Sequence, residues 1–232
     1  MSDIAARLQA VRQRIAEAER AAGRAPGSVQ LLAVSKTKPL ADVLAAGAAG
    51  QQAFGENYVQ EGVDKIRATV DHDFCWHFIG PLQSNKTRPV AEHFAWVHSV
   101  DRLKLAERLS AQRPASLPPL QVCIQVNISG EASKSGCLPE QALDLCRAVA
   151  ALPQLTLRGL MAIPEPADDV AAQRRPCREL RQLFETIRAA GIGGAAFDTL
   201  SMGMTHDLEA AIAEGATLVR IGTAIFGERN YP

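Results

Sequence analysis

LLAVSKTKP, residues Leu31–Pro39, is the stretch of this chain that says most about the fold. It begins as a short apolar run of the kind that forms a buried parallel strand. A doubly wound open sheet, the competing architecture, would place a glycine-rich turn directly after such a first strand. Here the turn is polar and lacks glycine, and neither a GxGxxG motif nor a P-loop occurs anywhere in the sequence. The stretch therefore favours a barrel.

Seven further runs of this kind follow, and a helical pattern separates most of them. The eight predicted strands are Leu31–Lys36, Ala53–Glu56, Trp76–Gly80, Trp96–Val100, Gln121–Asn127, Leu157–Ile163, Thr199–Met202 and Leu218–Ile221. Strands that alternate with helices pair in parallel through right-handed crossovers, and 232 residues match a compact barrel. We predict an α/β fold in which residues 1–232 form a single (β/α)8 TIM-barrel domain.

An extra helix is expected before the first strand. Ile4, Leu8, Val11 and Ile15 recur at intervals of three and four residues, which is the period of an amphipathic helix. Glycine and proline near residue 25 end this pattern.

The composition excludes several classes of protein. Apolar residues make up 47% of the chain and charged residues 22%, which is typical of a globular protein. The 25 basic and 25 acidic residues cancel, so no global field favours nucleic acid or an anionic membrane. The chain shows no long uninterrupted apolar run and no apolar core of a signal peptide. We therefore expect a cytoplasmic protein without nucleic-acid or membrane partners.

The cysteines and histidines do not predict a metal site. The 5 cysteines form no CxxC pair, and their odd number does not fit a disulfide framework. No HExxH motif or other ligand spacing occurs. Buried, reduced thiols are the expected state.

Lys36 is a candidate for chemistry because it ends the first predicted strand. Strand alternation puts Leu32, Val34 and Lys36 on one face. If Leu32 and Val34 fill the barrel, Lys36 lies at the mouth where barrel sites form. Burial lowers the pKa of such an amine, and the neutral amine forms Schiff bases. The alternative is a structural lysine that extends its ammonium group into solvent.

Arg220 and the residues after it form a second candidate group. Arg220 shares its face of the eighth strand with Leu218 and Gly222, so its guanidinium enters the interior and needs a partner. A carboxylate in a structural ion pair would serve equally well. Gly222 and Thr223 offer backbone N–H groups where barrels often bind phosphate, together with the loop after strand seven. Ser201 adds a hydroxyl at the end of that strand.

Five segments of the chain resemble one known family. They are LLAVSKT (Leu31–Thr37), FGENY (Phe54–Tyr58), WHFIGPLQSNK (Trp76–Lys86), LSMGM (Leu200–Met204) and RIGTAIFG (Arg220–Gly227). Together they resemble the pyridoxal phosphate homeostasis proteins, the YggS/PROSC family, and the third segment is the most specific. The resemblance runs from about residue 5 to the C-terminus. It implies a fold-type III barrel that binds pyridoxal 5'-phosphate (PLP), similar to the barrel domain of alanine racemase without its second domain.

The resemblance also implies roles for individual residues. Lys36 would form the internal aldimine with PLP. Ser201 would hold the phosphate together with the backbone of Gly222–Thr223. Arg220 would face the pyridine nitrogen, and Asn57 would line the pocket near the cofactor.

One short segment departs from the family pattern, and other polar features have simpler interpretations. Thr205-His206 stands where the family has serine followed by an acidic or small residue, although Thr205 is still expected to cap the next helix. His77 is expected to be a hydrogen-bonded core histidine. A helix also carries a cluster of basic residues, which we expect to be a solvated face rather than a partner site: Arg174, Arg175, Arg178 and Arg181.

Two classes of function follow from the resemblance. The first is a non-catalytic carrier that holds PLP, limits free aldehyde and supplies the cofactor to apo PLP-enzymes, in intracellular vitamin B6 homeostasis. The alternative is a PLP-dependent amino-acid racemase, and a weaker third is a phosphate-binding barrel without PLP. Racemisation needs an acid–base group opposite the lysine, for which the chain offers only Tyr58, Tyr231 and His77. We therefore expect a monomeric carrier without catalytic residues.

Overall fold

The computed structural model describes residues 3–130 and 135–228. Eight parallel strands close into a barrel in chain order, with the first strand paired to the eighth. The strands are β1 (Gln30–Val34), β2 (Ala53–Glu56), β3 (Cys75–Phe78), β4 (Trp96–Val100), β5 (Leu120–Gln125), β6 (Leu155–Met161), β7 (Thr199–Ser201) and β8 (Leu218–Ile221). The predicted (β/α)8 barrel is confirmed.

Helices surround the barrel and connect its strands. They are α1 (Asp3–Ala21), α2 (Leu40–Ala48), α3 (Val59–Ala68), α4 (Thr87–His93), α5 (Leu103–Gln112), α6 (Pro139–Ala150), α7 (Val170–Ala189), α8 (Leu208–Ala213) and α9 (Thr223–Phe226), with short 3-10 turns at Ser84–Lys86 and Gly194–Ala196. The expected extra helix is α1, which buries Leu8, Val11 and Ile15. Within the described ranges, no helix combines the length and the apolar character that crossing a membrane requires.

Several strands end earlier than the sequence pattern predicted. β1 ends at Val34 instead of Lys36, because Lys38 N donates to Ser35 O at 3.0 Å and closes a turn. In that turn Thr37 adopts a left-handed φ of 63°, which costs a side chain with a Cβ about 1 kcal/mol or more. β3, β5, β6 and β7 likewise end one or two residues before their predicted ends. The residues that follow the strands therefore belong to loops at the mouth of the barrel.

The alternation of side chains divides the core into two parts. Outward residues such as Ala33, Phe54 and Trp76 pack under the helices in the main core. Inside the barrel, a small separate cluster contains Leu32, Val34, Ile79 and Leu218. The inward face predicted for β1 is therefore correct, and it leads directly to the mouth of the barrel.

Candidate cofactor-binding site

A cavity of about 200 Å³ lies at the C-terminal ends of the strands, where barrels of this type bind ligands. Its wall consists of Val34, Lys36, Asn57, Ile79, Ile163, Met204, Thr205, His206, Arg220, Gly222 and Thr223. Five of the six residues predicted for the site belong to this wall. The sixth, Ser201, is fully buried and is not part of it.

A second cavity, of about 270 Å³, adjoins the first and shares Asn57, Ile79 and Ile163 with it. Together the two cavities are in the size range of small-molecule sites, about 300–1,000 Å³. The shared wall contains one unsatisfied group, because Asn57 Oδ1 is buried without a hydrogen-bond partner in the described residues. Such an atom costs free energy unless a ligand or water donates to it. The unpaired oxygen is therefore a polar position at the shared wall that a bound donor would satisfy.

A buried ionic cluster fixes the backbone on both sides of Lys36. Lys65 Nζ donates to Glu56 Oε1 and to Glu61 Oε1, each at 2.7 Å, and to the carbonyl oxygen of Ser35 at 2.8 Å. Ser35 Oγ donates to Glu56 Oε1 at 2.7 Å, and Thr37 N donates to Glu61 Oε1 at 2.7 Å. The two neighbours of Lys36 are thus tied to three ionisable side chains. This cluster also supports the unfavourable φ angle of Thr37.

The position of the Asn57 backbone depends on the absence of a side chain at Gly80. A Cβ built on Gly80 would lie 2.3 Å from Asn57 O and 2.7 Å from Asn57 Cα. These are backbone atoms, so the loop after β3 can approach the loop after β2 only with glycine here. Gly80 therefore sets the position of Asn57 in the cavity wall.

Arg220 is held in the barrel by neutral groups. Its Nη1 donates to Ser201 O at 2.6 Å and to Ser201 Oγ at 2.8 Å, and its Nη2 donates to Ala162 O at 2.8 Å. No carboxylate of the described residues forms an ion pair with it, so the expected alternative of a structural ion pair is wrong. Burial lowers the pKa of Arg220 to about 10, so the side chain remains a cation at neutral pH. A buried cation without a carboxylate can serve an electron-rich ligand.

A chain of hydrogen bonds continues from Arg220 across the barrel. Ser201 Oγ lies 2.8 Å from His98 Nδ1, and His98 Nε2 lies 2.8 Å from His77 Nδ1. His77 Nε2 lies 3.4 Å from Cys75 Sγ. Ser201 therefore lies outside the cavity wall, and its hydroxyl is already bonded between His98 and Arg220. We call Arg220, Ser201, His98, His77 and Cys75 the polar chain.

Both histidines of the polar chain are neutral. Burial lowers the pKa of His77 to about 3. Burial also lowers the pKa of His98 well below its usual value, helped by the nearby His77 and Arg220. His77 stacks on Trp96 with 5.1 Å between ring centroids and does not line the cavity. It is therefore a hydrogen-bonded core histidine, as the sequence suggested.

The cavity wall beside Gly222 and Thr223 contains a hydroxyl for which the sequence predicted a different role. Thr205 lines the cavity together with Gly222 and Thr223. The expectation that Thr205 caps the next helix is wrong, because Asp207 occupies the N-cap position of α8. Asp207 Oδ1 instead accepts a hydrogen bond from Met204 N at 2.6 Å. Thr205 is thus a residue of the cavity wall. The sequence pattern did not show that α8 begins only after Asp207.

Polar features away from the cavity have structural explanations. Arg174, Arg178 and Arg181 all contact the buried carboxylate of Glu214, at 2.7, 2.9 and 3.7 Å. The basic cluster on α7 is therefore partly an ion-pair network. All five cysteines are free thiols. Among the described residues, no group of three or more His, Cys, Asp or Glu side chains could hold a metal ion.

The cavity brings together an amine, a cation and backbone amides. Lys36 can bond to a carbonyl carbon, Arg220 can donate to a ring nitrogen, and the start of α9 can receive an anion. The residues that the sequence analysis missed, Lys65 and His98, act behind the wall. No local signal marks His98, because its bond to Ser201 joins distant strands. Lys65 does have a local partner, Glu61, four residues earlier on α3, but its bond to Ser35 follows only from the fold.

Comparison with known proteins gives consistent results along the whole chain. The family described as alanine racemase, N-terminal domain, matches residues 6–230. The pyridoxal phosphate homeostasis protein of Pseudomonas aeruginosa is 62% identical over 231 residues, covering 100% of this chain and 98% of its own. The protein of the same name from Escherichia coli K12 is 54% identical over 234 residues, covering 100% and 99%.

Solved structures agree with these relatives. PipY of Synechococcus elongatus with PLP bound superposes with a TM-score of 0.83 at 36% identity, covering 97% of this chain and 100% of its own. Alanine racemase of Corynebacterium glutamicum shares the fold, with a TM-score of 0.70 at 17% identity, covering 95% of this chain and 62% of its own. The chain therefore belongs to the pyridoxal phosphate homeostasis protein family, within the larger family of alanine racemase N-terminal domains.

Proposed function

We propose that this protein binds PLP at the mouth of its barrel and acts in intracellular PLP homeostasis, holding and supplying the cofactor without catalysis. The observation that carries the proposal is the meeting of Lys36, Arg220 and the Gly222–Thr223 backbone in one cavity. PLP has a matching group for each of them, namely an aldehyde, a ring nitrogen and a phosphate.

Each wall residue has a distinct task in this proposal. Lys36 bonds through its amine nitrogen to the aldehyde carbon of PLP, with release of water. Arg220 donates to the ring nitrogen, and Gly222–Thr223 bind the phosphate through backbone amides. Thr205 adds a hydroxyl there, in place of the role predicted for Ser201. Asn57 adds its side chain to the wall, and its buried amide oxygen has no donor among the described residues.

The wall supports a carrier better than a racemase. Bound PLP supplies an electrophilic aldehyde and a ring that withdraws electrons, most strongly when the ring nitrogen is protonated. Arg220 is a cation at that nitrogen and disfavours a second positive charge beside it. His77 is buried, neutral and outside the wall, so it is not an acid–base group of the site. The imidazole that does belong to the wall, His206, follows Thr205, so we place it beside the phosphate and not beside the carbon at which racemisation moves a proton.

The remaining features of the proposal concern the protein in the cell. The carrier is a single-domain monomer over residues 1–232 that works in the cytoplasm. Its partners are PLP and apo PLP-enzymes, which receive the cofactor from the open mouth of the barrel. The half-buried position of Lys36 supports this. An incoming amine would attack the former aldehyde carbon of PLP and release the Lys36 amine.

The test is spectroscopic. Purified protein titrated with PLP should become yellow, and borohydride should fix the cofactor on a peptide that contains Lys36. Lys36→Ala should lose both the visible band and the fixation. Lys104→Ala, a change at an exposed lysine on α5, should retain both. An unchanged spectrum and affinity in Lys36→Ala would contradict the proposal.

A further inference from the structure

We propose that Ser201, His98 and His77 are positioning residues, which hold the Arg220 guanidinium in the orientation that donates to the ring nitrogen of PLP. This inference rests on the proposed function, because it concerns the same cavity. It assigns a purpose to three buried polar side chains that do not themselves line the cavity.

The polar chain connects opposite walls of the barrel. Arg220 and Ser201 lie on the neighbouring strands β8 and β7, whereas His98 and His77 lie on the neighbouring strands β4 and β3. The contact from Ser201 Oγ to His98 Nδ1, at 2.8 Å, bridges the two pairs through the interior. A rotation of the guanidinium is therefore resisted by side chains anchored on the far wall.

The donors and acceptors of the side chains allow one direction of donation along the polar chain. Arg220 is a donor only, so Ser201 Oγ accepts from it and can donate its own proton to His98 Nδ1. His98 Nε2–H then donates to His77 Nδ1, and His77 Nε2–H donates to Cys75 Sγ. In the reverse direction the hydroxyl of Ser201 would accept from both sides. Its proton would then lack an acceptor among the described residues, which costs free energy in a buried site.

Arg220 also remains available to a ligand, because its partners in the barrel do not use all of its N–H donors. Its three bonds to Ser201 and Ala162 use three of the five N–H donors of the guanidinium. Every hydrogen-bond partner is neutral. Burial lowers the pKa of Arg220 and the nearby carboxylate of Asp207 raises it only in part, but Asp207 forms no ion pair with the guanidinium in the described residues. A carboxylate in the position of Ser201 or His98 would satisfy the cation internally. The neutral chain instead fixes the geometry of Arg220 and leaves its charge for the cofactor.

Two roles of His98 and His77, filling the barrel or positioning Arg220, predict different effects on ligand affinity. If His98 and His77 merely filled the barrel, their loss would reduce stability and weaken every ligand of the cavity alike. If they position Arg220, their loss should weaken only ligands with a ring nitrogen. The 1-deaza analogue of PLP, in which C–H replaces the ring nitrogen, separates these two cases.

The experiment measures the affinity of the full chain for PLP and for 1-deaza-PLP. The wild type should prefer PLP by about tenfold or more, the value of a hydrogen bond to a charged group. Ser201→Ala and His98→Leu should lose most of that preference through weaker PLP binding, while the affinity for 1-deaza-PLP stays within about twofold. His98→Gln, which retains a donor and an acceptor, should keep most of the preference.

Met161→Leu is the matched control, because Met161 is fully buried on β6 and is not part of the polar chain. It should leave the preference unchanged. An equal loss for both ligands in Ser201→Ala, or no loss, would overturn the proposal. A wild type that does not bind PLP at all would instead overturn the proposed function.

A second measurement does not depend on the variants folding. The ¹⁵N spectra of histidine-labelled wild type should show His77 and His98 as neutral rings protonated at Nε2. Addition of PLP should shift the resonances of His98, and 1-deaza-PLP should shift them less. An Nδ1-protonated tautomer at His98 would contradict the direction of the chain and with it the proposal.

Discussion

Lys65 Nζ donates a hydrogen bond of 2.8 Å to the carbonyl oxygen of Ser35, the residue immediately before Lys36. The same ammonium group neutralises Glu56, whose side chain is 0% exposed. A buried ion pair contributes little net stability when it is intact, but it is costly to break from one side. The position of Lys36 in the cavity is thus coupled to the integrity of this pair.

Lys65→Met should therefore destabilise the protein strongly. The variant leaves the Glu56 carboxylate buried without its cation, which costs about 3–5 kcal/mol. Urea denaturation measures the loss. Arg88→Met is the control, since Arg88 pairs at 3.6 Å with Glu92 on the surface of α4. Exposed pairs of that kind contribute about 0–1 kcal/mol. Equal losses in the two variants would contradict a buried charge at Glu56.

The loss in Lys65→Met should depend on pH. Burial raises the pKa of Glu56, and Lys65 lowers it only in part. Without Lys65 the pKa of Glu56 in the folded state rises further above its value in the unfolded chain. The folded variant then binds a proton that the unfolded chain releases, so its stability increases as the pH falls. The difference from wild type should shrink between pH 8 and pH 5, as measured by denaturation at each pH.

Local patterns explain which parts of the structure could be predicted. The alternation of Leu32 and Val34 correctly indicated the inward face of β1, because the period of a strand does not depend on its neighbours. The end of β1 could not be predicted, since it depends on a turn held by Glu61 from α3. The partner of Ser201 was also inaccessible, because His98 is 103 residues away in the chain. Contacts of this kind follow from the closed barrel, and no segment contains them.

The proposed phosphate contacts give a further prediction. Pyridoxal, which lacks the phosphate, should bind far more weakly than PLP, since each charge-assisted bond contributes about 1.5–3 kcal/mol. Thr205→Val removes one such donor at nearly constant volume and should weaken PLP by roughly tenfold or more. The same variant should change the affinity for pyridoxal little. Equal affinities of wild type for the two ligands would remove the phosphate from the proposal.

Gly80→Ala should impair the site through Asn57. The new Cβ would overlap Asn57 O, which lies 2.3 Å from the position it must take. The backbone of Asn57 must then move, so we expect lower stability by about 1–3 kcal/mol and a weaker affinity for PLP. Gly47→Ala is matched to it, because its Cβ would meet the ring of the partly buried Phe74 at 2.4 Å, and neither residue belongs to the cavity wall.

Thermal denaturation and PLP titration separate the effects of the two glycine variants. Both should lower the melting temperature, but only Gly80→Ala should weaken PLP binding. A Gly80→Ala protein with the full affinity for PLP would show that the position of Asn57 is unimportant for the cofactor.

The last prediction is that the loaded protein does not racemise amino acids at enzymatic rates. Two-base racemisation needs a proton carrier on the face opposite Lys36. His77 is excluded by its burial and by its pKa of about 3. Tyr58 is 53% exposed and is not part of the cavity wall. Tyr231, the other tyrosine, lies outside the described residues. The wall contains one imidazole, His206, which follows Thr205 directly; we place it with Thr205 at the phosphate, away from the carbon that would exchange its proton.

Incubation with single-enantiomer amino acids in heavy water tests this expectation directly. Lys36 alone can remove and return a proton on its own face, so any exchange of the Cα hydrogen for deuterium should retain configuration and be slow. Arg220 reinforces this limit, because its positive charge opposes a proton on the ring nitrogen and so reduces stabilisation of a carbanion. Mass spectrometry measures deuterium at Cα, and chiral chromatography measures inversion. Inversion at about 1 s⁻¹ or faster, the rate of an ordinary enzyme, would show that a second proton carrier reaches the site and would replace the carrier with a racemase.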